Sequence, residues 1–216
     1  MPRKRRGRVV GIVFLFVFLF CCYIGVFGGN VRVVEPGKLY RSCQLTGSGY
    51  DAVSARAVGH GLESVLSANG IKTVLNLRAG SMKDKRYREE IEICQKLGVE
   101  HIDNTFSARS LPPPDVAAKL LDIFDHAKYP ILVHCQAGSD RTGLASALYA
   151  HVYMKQPLDE ATGSQLTWRY GHFRFSNTKP MDIFFDLYRE TGQGMTLREW
   201  IKKKYPQVYE THQAQK

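Results

Sequence analysis

Between Pro130 and Tyr153 the chain passes from a short apolar stretch, Ile131 to His134, through a glycine-bearing loop into a segment dense in small residues, Gly143 to Tyr153. An apolar run this short reads as a buried strand, and the segment beyond the loop as a helix able to pack tightly. The rest of the chain repeats the alternation. Residues 32–50, with Pro36-Gly37 and Gly47 to Gly49 around Lys38-Leu39-Tyr40-Arg41, predict a linker, one short strand and a loop. A helix is predicted from about Ala57 to Ala68, stopped by Asn69-Gly70, then a strand at Ile71 to Leu77. Tyr87, Ile91, Cys94 and Leu97 recur at helical spacing within 84–97, and Gly98 closes that helix before a strand at Val99 to Asp103. Pro112 to Pro114 open a helix to about Lys128, which Pro130 stops. Further helical patterns cover Leu158 to Trp168, Met181 to Glu190 and Leu197 to Lys204. This order predicts an α/β fold with a mainly parallel central sheet flanked by helices.

At 216 residues there is room for one ordinary domain plus extras. With 44% hydrophobic and 23% charged residues, neither a disordered chain nor a polytopic membrane protein is indicated. Of the net charge of +10, half comes from Arg3, Lys4, Arg5, Arg6 and Arg8. No nucleic-acid-binding motif accompanies the remainder, so no nucleic-acid partner is expected; phosphate substrates or lipid head groups account for the balance. Five cysteines is an odd count, with Cys21 and Cys22 in an apolar segment and Cys43, Cys94 and Cys135 far apart. They do not read as a disulfide framework, and no cluster has zinc-ligand spacing, so neither metal nor cofactor is expected.

From Val9 to Val31 no residue is charged, and Ile12 to Tyr23 is almost wholly aliphatic or aromatic. About 20 helical residues cross the ~30 Å hydrocarbon layer, so 9–31 is predicted as one N-terminal transmembrane helix behind a basic tail at 1–8. Five basic residues precede it and only Arg32 follows closely, which places the tail in the cytoplasm and the rest across the membrane, periplasmic in a bacterium. A cleaved signal peptide is the rival reading. Its apolar core usually spans ~7 to 15 residues, and Val26 to Gly28 is not an A-x-A site. The folded domain is assigned to 32–195, and 196–216 to a C-terminal helix and tail.

The loop itself reads His134-Cys135-Gln136-Ala137-Gly138-Ser139-Asp140-Arg141-Thr142-Gly143. Between a strand and a helix, the backbone N–H groups of such a loop converge with the helix N-terminus on one point and cradle the oxygens of a phosphate. Arg141 is expected to grip two of those oxygens in a fork. The same field acts on sulfur: a thiol at a helix N-terminus beside a cation drops from a pKa of ~8.5 to ~3.5 to 7.5. Cys135 is therefore expected to attack a phosphate ester as thiolate, and water to hydrolyse the resulting phosphocysteine. Gln136, Ala137, Gly138, Ser139, Asp140, Arg141 and Thr142 are the expected substrate-binding residues. Gly138 permits close backbone approach, Thr142 can hydrogen-bond the sulfur, and His134 orients the loop.

HCxxGxxR[ST]G resembles the loop of protein-tyrosine phosphatases, and HCQAGSDRTG is most similar to bacterial members of the dual-specificity group. Leu39-Tyr40-Arg41-Ser42, Gly70 to Arg78 and Pro130 to Val133 also resemble their counterparts, so the likeness covers roughly 33–188. It implies the phosphatase fold, with the catalytic Cys after a buried strand. Family members carry a general-acid Asp on a mobile loop before the Pro-rich helix. Here that loop, Asn104 to Leu111, holds no carboxylate. Some relatives with Asp immediately before the loop Arg are thought to use it as the acid, so the resemblance implies Asp140; Asp103, Asp115 or no dedicated acid are the alternatives. With none, aryl phosphates are favoured.

The leading expectation is hydrolysis of phosphomonoesters on protein tyrosine, and also on serine or threonine. The anchor and basic balance suggest a phospholipid or inositol-phosphate phosphatase as the alternative, and the empty acid loop a phosphate-binding module with little turnover. Arg109 and the cluster Trp168 to Phe175 are candidates for a second anion or a lipid surface, against the plainer expectation of aromatics in the core and arginines in solvent. Cys43 and Cys94 are expected to pack as ordinary buried thiols. No motif sets an oligomeric state.

Overall fold

The computed structural model describes Val13, Leu15 and Phe16, then residues 29–57 and 59–214. The basic tail and most of the predicted transmembrane segment lie outside the described residues. Among those described, no helix is long and apolar enough to cross a membrane.

Five strands form one sheet in the order β1-β2-β5-β3-β4, with β1 at Arg32–Glu35, β2 at Leu39–Ser42, β3 at Thr73–Asn76, β4 at Glu100–Asp103 and β5 at Ile131–His134. β2, β5, β3 and β4 run parallel, whereas β1 pairs antiparallel with β2. The sheet is thus mixed. The stretch before Lys38 reads in sequence as linker because Pro36-Gly37 masks the tight turn that folds β1 back onto β2.

Every residue of β2, β3 and β5 is buried, as expected of parallel strands covered on both faces. Alternation divides their side chains. Leu39, Leu75, Ile131 and Val133 join one core cluster, and Tyr40, Val74 and Leu132 the other. The second cluster is closed by α2 (Leu62–Ala68) and α3 (Lys85–Leu97), with α1 (Tyr50–Ala57) alongside. The first is covered by α4 (Pro114–His126), α5 (Asp140–Val152), α7 (Pro180–Thr191), α8 (Leu197–Lys203) and α9 (Tyr205–Ala214). Trp200 and Tyr205 are fully buried there.

Local signals account for most boundaries. Asp84 caps α3 by accepting from the Arg86 amide at 2.9 Å, and Gly98 ends it at φ +64°. Thr196 and Glu199 form a reciprocal capping box on α8. The predicted helix at 57–68 is instead two, because Gly59 turns at φ +81° and Gly61 precedes the second. α5 starts at Asp140 rather than Gly143, so the last loop residues occupy its first turn. α6 (Leu158–Gln165) stops before Trp168, which opens a short 3₁₀ turn to Tyr170.

Candidate active site

β5 delivers Cys135 to the C-terminal edge of the sheet, where the residue is 2% exposed. The loop that follows is shaped from outside. Carbonyl oxygens of Gln136, Ala137 and Gly138 accept from the Gln44 amide at 3.0 Å, Asn30 Nδ2 at 2.7 Å and Arg41 Nη2 at 2.7 Å. A planar trans peptide sets its N–H opposite its C=O. Turning those three carbonyls outward therefore turns the amides of Ala137, Gly138 and Ser139 inward. Gly138 sits at φ +72° against the backbone of Ser42 and Cys43, where a Cβ would lie 2.6 Å from the Ser42 oxygen.

Burial alone would push the Cys135 thiol up; Arg141, the Thr142 hydroxyl and amide and the Gly138 amide outweigh it, and hold the thiol below its ordinary value. The Thr142 hydroxyl is buried and has no other hydrogen-bonded partner among the described residues. Arg141 is anchored by Nη1, which donates to the Leu77 and Phe106 carbonyls at 3.2 Å each. Its Nε is buried and has no hydrogen-bonded partner among the described residues, a donor suited to an anion above the sulfur.

Below the loop lies a cation that the sequence does not advertise. Arg41, fully buried on β2, donates from Nη1 to the Gln165 carbonyl at 2.9 Å and to Gln165 Oε1 at 2.8 Å, and stacks 3.9 Å from the centre of the Tyr170 ring. Among the described residues no carboxylate forms an ion pair with it. Burial lowers its pKa to about 10, while Tyr170 and Cys135 act in the opposite sense.

His134 bridges the loop to α3: Nδ1 lies 3.1 Å from the Cys135 carbonyl and Nε2 3.1 Å from Glu90 Oε1, which His101 Nε2 also approaches at 2.8 Å. Burial opposes ionisation of Glu90, but His134 and His101 outweigh it and hold its pKa at about 2. A carboxyl held below its ordinary 4.5 contributes stability that is present above that value and lost as pH falls towards about 2. Glu90→Gln should therefore flatten the acid limb of stability, read as urea midpoints between about pH 5 and pH 2.5. An unchanged acid limb would show that Glu90 is not its source.

Asp140 opens α5 beside Arg141, yet its Oδ1 is 2.7 Å from Nδ1 of His172, whose Nε2 is 2.9 Å from Asp182 Oδ2. No sequence pattern joins this triad, because His172 is embedded in a basic and aromatic string and Asp182 in an ordinary helix start. Asp103 is held by Asn76 Nδ2 at 2.8 Å and the Tyr87 hydroxyl at 2.6 Å, while Asp115 and Arg109 are exposed. The loop 104–111 reaches the site by a backbone carbonyl, that of Phe106. The plainer expectation for the Trp168 to Phe175 string is corrected in part. Arg174 does face solvent, but Trp168, in the 3₁₀ turn, and Phe173 and Phe175, beyond it, are 63%, 44% and 89% exposed. Cys43 and Cys94 are buried in the second cluster and form no disulfide.

A buried thiol held between a strand and a helix N-terminus, under inward amides and beside an arginine, is an arrangement suited to phosphatase chemistry. The chain is similar to dual-specificity and tyrosine phosphatases: residues 50–152 match the family model described as "Polymorphic toxin system, DSP-PTPase phosphatase". It is 28% identical over 133 residues to the dual specificity protein phosphatase CDC14A of Mus musculus, and 28% over 134 residues to the tyrosine-protein phosphatase cdc-14 of Caenorhabditis elegans. Each match covers 59% of this chain but only 20% and 17% of those proteins, so the chain aligns with a fifth or less of their length. TpbA of P. aeruginosa, in complex with pTyr, superposes with a TM-score of 0.55 at 18% identity, covering 82% of this chain and 93% of that one. The catalytic core of the PP-IP phosphatase SIW14 of S. cerevisiae gives 0.51 at 18% identity, covering 76% and 93%. At such identities the likeness is one of fold.

Proposed function

We propose that the chain hydrolyses phosphomonoesters, phosphotyrosine foremost and phosphoserine or phosphothreonine beside it, through a phosphocysteine intermediate. The observation that carries this reading is a buried Cys135 thiol held below its ordinary pKa by Arg141, Thr142 and Gly138. Its thiolate attacks phosphorus; the S–P bond forms as the ester P–O bond breaks, and the departing oxygen takes up a proton. Water then attacks the phosphocysteine, releasing inorganic phosphate and restoring the thiolate. Inward amides and Arg141 hold the three equatorial oxygens, where phosphoryl transfer concentrates charge.

An anchored chain with its domain on the extracytoplasmic side fits the uncharged run at 9–31 behind five basic residues. Asn30, at the end of that run, hydrogen-bonds the Ala137 and Tyr170 carbonyls, so the chain enters the domain beside both the phosphate loop and exposed Trp168. Aromatic side chains suit the head-group level. This neighbourhood favours phospholipid or inositol phosphate as the second substrate class.

The test is phosphate release from phosphotyrosine peptides and from phosphoinositide vesicles, side by side, using membranes and soluble fractions of cells expressing the full chain. Turnover of peptide, abolished in Cys135→Ser with binding retained, is the expected result. A large preference for vesicles would move the assignment to the lipid reading. Binding without release from any ester would leave a phosphate-binding module.

A further inference from the structure

His172 is 3% exposed, and both its ring nitrogens lie within hydrogen-bond distance of carboxylate oxygens, at 2.7 Å from Asp140 and 2.9 Å from Asp182. Each contact needs one proton between nitrogen and oxygen. A neutral imidazole carries a single N–H. Two such contacts therefore require one proton more, shared among the ring and two carboxyl groups. Asp140 is the only carboxylate in the phosphate loop, it adjoins Arg141, and the loop at 104–111, whose Phe106 carbonyl meets Arg141, has none.

We propose that His172, backed by Asp182, stores the proton that Asp140 delivers to the departing ester oxygen. His172 is thus a positioning residue, acting through Asp140. As the P–O bond breaks, the proton on Nδ1 passes to Asp140 and from Asp140 to the leaving oxygen. The ring is left neutral, with Nε2–H still donating to Asp182. In the second step Asp140 takes a proton from the attacking water and returns it to Nδ1, so the triad ends as it began.

The surroundings suit the role. Burial would lower the ring's pKa, but its hydrogen bonds to Asp140 and Asp182 raise it to about 9, so the store is filled at neutral pH. Two arginines share the cavity that His172 and Asp182 line, and both are engaged by other carboxylates. Arg174 pairs with Asp186 at 2.6 Å, and Arg189 pairs with Asp186 at 3.0 Å and Asp159 at 2.6 Å. The ring proton is therefore held by Asp140 and Asp182.

This inference rests on the phosphocysteine reading, and one experiment separates the two. Full-length chain, His172→Asn and Asp182→Asn are assayed on phenyl phosphate, whose leaving group needs a proton, and on p-nitrophenyl phosphate, whose leaving group scarcely does. Asparagine keeps a donor towards Asp140 but no titratable proton. His172→Asn should lower kcat on phenyl phosphate roughly 100-fold, the lower end of what a positioned acid supplies, with far less loss on p-nitrophenyl phosphate and little change in KM. The alkaline limb of kcat should disappear in His172→Asn and move to lower pH in Asp182→Asn, which has one carboxylate fewer to hold the ring proton. Equal losses on both esters, or an alkaline limb unmoved in both variants, would overturn the role of His172 while leaving the phosphatase reading intact. No phosphate release from either ester by the unaltered chain would overturn both. Should His172→Asn fail to fold, Asp182→Asn decides by the same comparison.

Discussion

Replacing Arg41 with methionine is expected to cut kcat/KM on the order of 100-fold while changing stability by less than about 2 kcal/mol, a dissociation that arises from opposed terms. The guanidinium holds the Gly138 carbonyl outward, which keeps the following amide turned towards the sulfur, and losing one such donor costs roughly 100-fold or more in related oxyanion sites. Its charge also favours the Cys135 thiolate, whose own influence on Arg41 acts upward against the burial that lowers the arginine's pKa. Against this, a buried cation with no carboxylate partner is expensive to keep, and methionine removes that cost along with the bonds to Gln165. Arg41 is accordingly a residue held for the site more than for the fold. Alkylation of Cys135 by iodoacetamide across pH should show the thiol titrating higher in Arg41→Met. An unmoved thiol titration with full turnover would refute this account.

Gly138→Ala is expected to cost about 3 kcal/mol or more and to remove most turnover, because two penalties coincide. A side chain at φ +72° costs roughly 1–2 kcal/mol by itself. The new Cβ would also lie 2.6 Å from the Ser42 oxygen and 2.7 Å from the Cys43 nitrogen, backbone atoms that can yield only if β2 shifts. Gly98→Ala is the internal comparison. It has a similar φ of +64° and nothing within 4 Å, so only the first penalty applies. Urea unfolding of the two variants should show the larger loss at 138. Equal losses would mean that the close approach to β2 carries no weight.

Much of this was legible because local rules and global fold agree. Pro130, the apolar run to His134 and the small residues after Gly143 specify strand, loop and helix from within one short stretch; the structure explains Gly143 itself, where a Cβ would lie 2.8 Å from Leu166. Cys94 and Leu97 mark the inner face of α3, and Gly98 ends it, as periodicity and capping dictate. What could not be read depends on residues distant in sequence. Arg41 reaches Gly138 across 97 positions, Glu90 reaches His134 across 44, and His172 reaches Asp140 across 32. No spacing rule connects such pairs, and in each case the polar residue sits among neighbours that suggest another role: a β-strand for Arg41, an exposed helix for Glu90, an aromatic string for His172. Antiparallel β1 was hidden for a different reason, since four residues beside Pro-Gly carry too little pattern to separate strand from linker.

α5 has a consequence for how this molecule fails. From Thr142 to Ala150 every residue is buried, so the helix that carries Arg141 has no outward stripe and cannot fray without exposing the middle of the domain. Amides there should exchange with solvent only when the entire domain opens. The catalytic apparatus has no partly melted form of its own, and on warming its competence should vanish in the same cooperative event that dissolves the sheet.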